Sequence, residues 1–149
     1  MTAPRSILLT VYGSPAPQGS KRHVGGGRMI ESSKKVKPWR QDVKAAAEAL
    51  LSRHAVRPPP IDAPVIVRMV FTLPKPASAP KRRTTYPCRK PDIDKLARST
   101  CDALSDAGVW ADDSRVIELQ LLKVFPSEHS EALPVPGARI HIREVPHDS

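Results

Sequence analysis

The sequence predicts an α+β fold: a single small domain over 1–149, in which a mixed β-sheet of about four to five strands carries two main helices. Three observations predict it. The chain has 149 residues, one domain by length and enough for a modest core. Its hydrophobic pattern switches between period two and helical spacing in the order strand, short strand, helix, strand, helix, strand, strand. Proline and glycine clusters separate these segments, and no internal repeat or interdomain linker interrupts them.

The first strand is Ile7–Tyr12, rich in β-formers and closed by Gly13-Ser14-Pro15, with Ile7, Leu9 and Val11 facing the core. From about 14 to 37 the prolines, glycines and cations predict a long, basic, mobile loop, with a hairpin turn at Gly25-Gly26-Gly27 and a short strand at Arg28–Glu31. Pro38 opens a helix that runs to about Arg53, with Trp39, Val43, Ala46, Ala47, Leu50 and Leu51 as its apolar stripe. Pro64–Leu73 is the clearest strand and reads as central, because Ile66 and Val70 extend its apolar character to the second face. Residues 74–91 hold too many prolines for helix or sheet. A second helix follows, on which Ile93, Leu96, Ala97, Thr100, Leu104 and Ala107 recur at helical spacing, and Gly108 is placed as the left-handed residue past its end. Val116–Phe125 is the next strand, with Ile117, Leu119 and Leu121 inward, and Ala138–Arg143 alternates as a half-exposed last strand. Residues 145–149 read as a frayed tail.

A formal net charge of +9 and a pI near 10.0 point to a polyanionic partner, nucleic acid first. A membrane surface would want a basic amphipathic helix or an apolar anchor, and neither is present, nor is any stretch of transmembrane length. The amino terminus lacks the pattern of a secretory signal, so an intracellular, cytoplasmic location is expected. Cys88 and Cys101 have no paired spacing and read as free thiols, and the five histidines are scattered singly. No small-molecule cofactor is expected. The cations cluster in the two loops, as Lys21, Arg22, Lys34 and Lys35 in one and Lys75, Lys81, Arg82, Arg83, Arg89 and Lys90 in the other. The second loop runs straight into Asp92, so its charges would lie along a phosphate chain threaded there; a merely solubilising segment is the alternative. Tyr86 either stacks on a base or packs locally.

Chemistry is expected where carboxylates gather. Asp92 and Asp94 stand at the start of the second helix, and Asp112 and Asp113 just beyond its end. Converging carboxylates repel unless a cation sits between them, and hard oxygen donors suit Mg2+, with Mn2+ as substitute. Each acid also has an ordinary reading: Asp92 as a helix cap, Asp94 as a charge favoured by the helix dipole, Asp112 and Asp113 as turn residues. Asp94 and Arg98, four apart, share a face that Cys101 and Ser105 continue.

The run Pro91-Asp92-Ile93-Asp94-Lys95-Leu96, then Cys101-Asp102-Ala103-Leu104, then Trp110 to Glu118 through Asp112-Asp113-Ser114, resembles the RusA family of Holliday junction resolvases. The resemblance implies a RusA-like fold, a Mg2+-dependent endodeoxyribonuclease acting on four-way DNA junctions in recombination, repair or phage DNA processing, and a homodimer. It assigns Asp92, Asp94 and Asp113 as metal-binding catalytic acids, with Asp112 as a further ligand or outer-shell group. The family places lysine where this chain has Arg98, and asparagine where it has Lys95. Either cation here can take the lysine's place toward a phosphate or DNA, although arginine cannot serve as a proton donor. The motif does not dictate branch geometry, so a less selective branched-DNA nuclease and an inactive basic nucleic-acid-binding protein stand as rivals.

Overall fold

In the computed structural model of the chain, residues 3–19 and 34–146 are described in full, and residues 21–24 and 28–31 by their backbone. Four strands form one sheet in the order β1 (Ser6–Tyr12), β6 (Gly137–Glu144), β4 (Val65–Thr72), β5 (Val116–Val124). The β4–β5 pair is parallel and the others antiparallel, which makes the sheet mixed. Two further strands, β2 (Lys21–Val24) and β3 (Arg28–Glu31), pair antiparallel with each other. The expected strand at Arg28–Glu31 is therefore present. Lys21–Val24, which the sequence placed in a loop, is its partner; four mostly polar residues carry no periodicity, and their pairing is local. The expected turn at 25–27 lies outside the described residues.

Helices α1 (Val36–Leu51) and α2 (Ile93–Asp106) cover one face, α1 against β1 and α2 against the edge strand β5. Pro38 is the third residue of α1 rather than the first, still within the turn whose N–H groups have no intrahelical acceptor. Trp39, Val43, Ala47 and Leu51 are buried as the stripe requires. They meet β4, whose Val65, Val67, Met69 and Phe71 are wholly buried. Each such side chain contributes about 1.5–3 kcal/mol over its exposed state. Between the helices, Thr100 Oγ1 accepts from Trp39 Nε1 at 3.1 Å and donates to the Leu96 carbonyl at 2.7 Å, so the one hydroxyl satisfies two elements.

The end of α2 is a Schellman motif. Gly108, at φ +80°, donates to the Ser105 carbonyl, and Val109 donates to that of Leu104. The chain then forms a parallel bridge between Trp110 and Ile61, which ties the approach to β5 to the approach to β4. On β5 the pattern expectation fails in part: Leu121 packs on the core, but Ile117 is 62% and Leu119 40% exposed. The ladder shifts register between Val65 and Ile66, which are opposite Val116 and Glu118, so Ile117 falls in the irregularity of an edge strand. Val145, expected to fray, donates to the Pro64 carbonyl at 2.8 Å; residues 147–149 lie outside the described part.

Candidate functional site

Helix α2 organises the acids. Asp92 occupies its N-cap position, with extended backbone, but its side chain makes no capping hydrogen bond. Its carboxylate instead lies 3.7 Å from Lys95 Nζ, one turn along. Asp94 is in the first helical turn, exposed, where the helix dipole favours negative charge. Arg98 and Asp102 follow at four-residue steps on the same stripe.

Beyond the helix, Asp112 and Asp113 part company. Asp112 caps the short 3-10 turn Asp113–Arg115 by accepting from Ser114 N at 2.8 Å, and the hydrogen bonds from Ser114 hold its carboxyl below the usual range. It has taken the turn role. Asp113 is turned back onto α2, where its Oδ1 accepts from Ser105 Oγ and, at 3.0 Å, from the indole N–H of Trp110. Trp110 is buried, and its Nε1 is also 2.7 Å from Ser105 Oγ, so a rigid indole and a helix hydroxyl fix the acid together.

The neighbour of Asp113 is Asp102. Burial first, then the Asp113 charge, raises the Asp102 carboxyl above its ordinary range; Arg40 and Arg98 pull it down, and a hydrogen bond to Asp113 adds to the rise. Burial and the same two acids push the Cys101 thiol up to about 12. Sequence reasoning missed Asp102 and Trp110 as site residues, although Asp102 lies two helical turns past Asp94 and was legible as part of that stripe.

The acids thus divide into a pair at the start of α2, Asp92 and Asp94, and a second pair, Asp102 in its later half and Asp113 packed back against it. Eight residues of helix separate Asp94 from Asp102, a rise of about 12 Å. Among the described residues, no three His, Cys, Asp or Glu side chains stand together as a group that could hold a metal ion. The expected meeting of Asp92, Asp94, Asp112 and Asp113 at one point is not what this arrangement contains, because Asp92 and Asp112 each take a donor close by in their own segment and Asp113 is held by Ser105 and Trp110 near the far end of α2. Carboxylate oxygens remain the donor type that a hard divalent cation takes. The set fits magnesium in kind, while its positions are divided.

Among the described residues, both basic loops are tied to the rest of the fold at particular points. Residues 16–18 are pinned on α2, where the buried Ser99 Oγ donates to the Ala16 carbonyl at 2.6 Å and Gln18 N to that of Lys95 at 3.0 Å. In the 74–91 loop, Lys75 pairs with Glu128 at 2.6 Å and sits over the Phe125 ring, so this expected DNA-contacting cation is engaged internally. Glu128 also accepts from Thr85 N at 2.9 Å. Lys123 Nζ donates to the carbonyls of Arg89 and Pro91, each at 3.0 Å, and so fixes the backbone that delivers Asp92. The Lys90–Pro91 peptide bond is cis.

Lys34, Lys35, Lys81, Arg82, Arg83, Arg89 and Lys90 are exposed, as phosphate contacts require. The side chains of Lys21 and Arg22 lie outside the described part. Arg40 is paired with Asp106 at 3.0 Å. Between residues 14–17 and the 74–91 loop lies a groove of about 780 Å3 whose lining includes Pro91. Among the described residues, no helix is long and apolar enough to cross a membrane.

No curated protein matches the chain. A family model described as endodeoxyribonuclease RusA matches residues 13–135. That span takes in both helices, the 74–91 loop, Trp110 and every candidate acid, and the chain is a member of the RusA family of endodeoxyribonucleases.

Proposed function

We propose that the protein is a Mg2+-dependent, structure-selective endodeoxyribonuclease that resolves Holliday junctions by paired phosphodiester hydrolysis. The observation that carries this reading is the return of Asp113, held by Trp110 and Ser105, onto the same helix that bears Asp92, Asp94 and Arg98. The family's description as endodeoxyribonuclease supports the reaction class.

In this reading Asp92, Asp94 and Asp113 would hold the metal once the two groups of acids are drawn together around it, with Asp102 against Asp113. A divalent ion held there would supply an activated water and offset charge on the phosphate. The chain's own groups orient and neutralise. Arginine is suited to pairing with a phosphate oxygen and not to donating a proton, and that is the role of Arg98 in this reading. Lys95 tethers Asp92. The exposed cations of the 74–91 loop align the backbone of the strand that reaches the helix. Cutting two symmetry-related strands suits a two-fold homodimer, for which Ile117 and Leu119 on the edge strand offer exposed apolar surface.

The test is digestion of a synthetic four-way junction beside duplex, fork and flap controls, with and without Mg2+, using wild type and Asp94→Asn. The expected result is junction cutting by wild type with Mg2+ alone. Asp94→Asn should cut at least about a hundred-fold more slowly while binding the junction as well as wild type or better, since a charge repelling phosphate is gone. Equal cutting of all substrates would replace junction resolution by general branched-DNA cleavage; activity untouched by Asp94→Asn would remove the site. Sedimentation of the free protein should give twice the monomer mass.

A further inference from the structure

We propose that the groove between residues 14–17 and the 74–91 loop holds one unstacked nucleobase of the strand whose phosphate lies at Asp92. The inference rests on the nuclease reading and deepens it, by naming what the site grips besides phosphate. The groove has a volume of about 780 Å3, within the range of pockets for small organic molecules. Its lining includes the buried apolar side chains Leu73 and Phe125 together with Tyr86, which is 60% exposed. An aromatic ring left that open in a groove offers a face to a flat partner.

The charge around the groove selects the class of partner. Lys35, Arg89 and Lys90 line it and no carboxylate does, although Asp92 directly follows Pro91, another lining residue. An apolar slot with a purely cationic rim matches a base flanked by its own phosphates. The walls are built in advance: Ser99 and Lys95 hold one side, Glu128 and Lys123 the other.

Branch selectivity then has a physical source. In continuous duplex each base is stacked on both faces, and drawing one out costs stacking and pairing. At a branch point a base has already lost neighbours, so the same transfer is cheap. A groove that takes a base therefore discriminates against linear DNA without reading its sequence.

The test uses two readouts on the full chain. First, gel-shift affinities are measured for Tyr86→Ala and Tyr86→Trp on the four-way junction and on linear duplex. Loss of one base–aromatic stack corresponds to a loss of about five-fold or more in junction affinity. Duplex affinity should stay within about two-fold, since no charge is removed, and Tyr86→Trp should retain junction affinity. Second, Cys88, an exposed residue of the same wall, is labelled with a maleimide in wild-type protein saturated with either DNA. Junction should protect it and duplex should not.

Unchanged junction binding by Tyr86→Ala, an equal loss on duplex, or equal labelling of Cys88 in both complexes overturns the proposal. If Tyr86→Ala does not fold, Cys88 protection decides alone. Absence of any cutting by wild type counts against the nuclease reading and not against the groove, because both readouts measure binding only.

Discussion

Lys123 carries a role that its side chain type does not announce. On a strand it is one polar residue in an apolar run, yet its ammonium holds the carbonyls of Arg89 and Pro91, and through them the backbone at Asp92. Lys123→Met should lower kcat on a junction by about ten-fold, since small displacements of a reacting group are costly, with Kd changed by less than two-fold. Lys123→Arg should recover part of the rate. A Kd that rises as far as kcat falls would make Lys123 a DNA contact instead. The same residue marks a limit of sequence reading: the partners are backbone carbonyls more than thirty positions away, and carbonyls leave no trace in residue identity. Asp102 is the opposite case. Its place on the Asp94–Arg98 stripe was open to inspection, but an acid inside an Asp-Ala-Leu run reads as helix surface until Asp113 is seen to return to it.

At the scale of elements, what was legible is what periodicity governs. The limits of α2, its Gly108 terminus and the central position of β4 follow from apolar spacing and left-handed geometry, and all three appear as expected. The edge strand did not follow, because alternation presumes a covered face and an unbroken ladder, and Ile117 has neither. The 74–91 loop read as unstructured for want of a period, whereas one ion pair and several hydrogen bonds across the sequence fix it. Glu128 is central to that, its carboxyl held below the ordinary range by Lys75 first and the Thr85 amide second. A depressed carboxyl pKa means that the unfolded or released form binds the extra proton. The contribution is therefore present above the ordinary glutamate value of about 4.3 and is lost as pH falls through the depressed value. Hydrogen exchange at the Thr85 amide, corrected for intrinsic rate, should speed up as pH drops below about 4. Glu128→Gln should show the fast rate already at neutral pH, and equal protection in the two proteins there would sink this account.

For the whole molecule, the net charge of +9 makes affinity for DNA a function of salt. Not every cation contributes. Arg82 is exposed, so Arg82→Gln should lower the slope of log affinity against log salt by about one if it meets a phosphate. Lys75→Gln should leave the slope as it is, because Glu128 already takes that charge, and should act on loop order instead. Titrations at four or five salt concentrations separate the two; parallel lines for wild type and Arg82→Gln would take Arg82 off the DNA path.

The indole of Trp110 has a practical consequence. The chain contains two tryptophans, and Trp39 donates to a hydroxyl while Trp110 donates to a hydroxyl and a carboxylate at once. Replacing Trp39 by phenylalanine leaves a single tryptophan, whose ring nitrogen touches Asp113. Its emission wavelength should then shift when a divalent ion draws that oxygen away, and remain still in Asp113→Asn, so that occupancy can be followed optically in unlabelled protein and in real time.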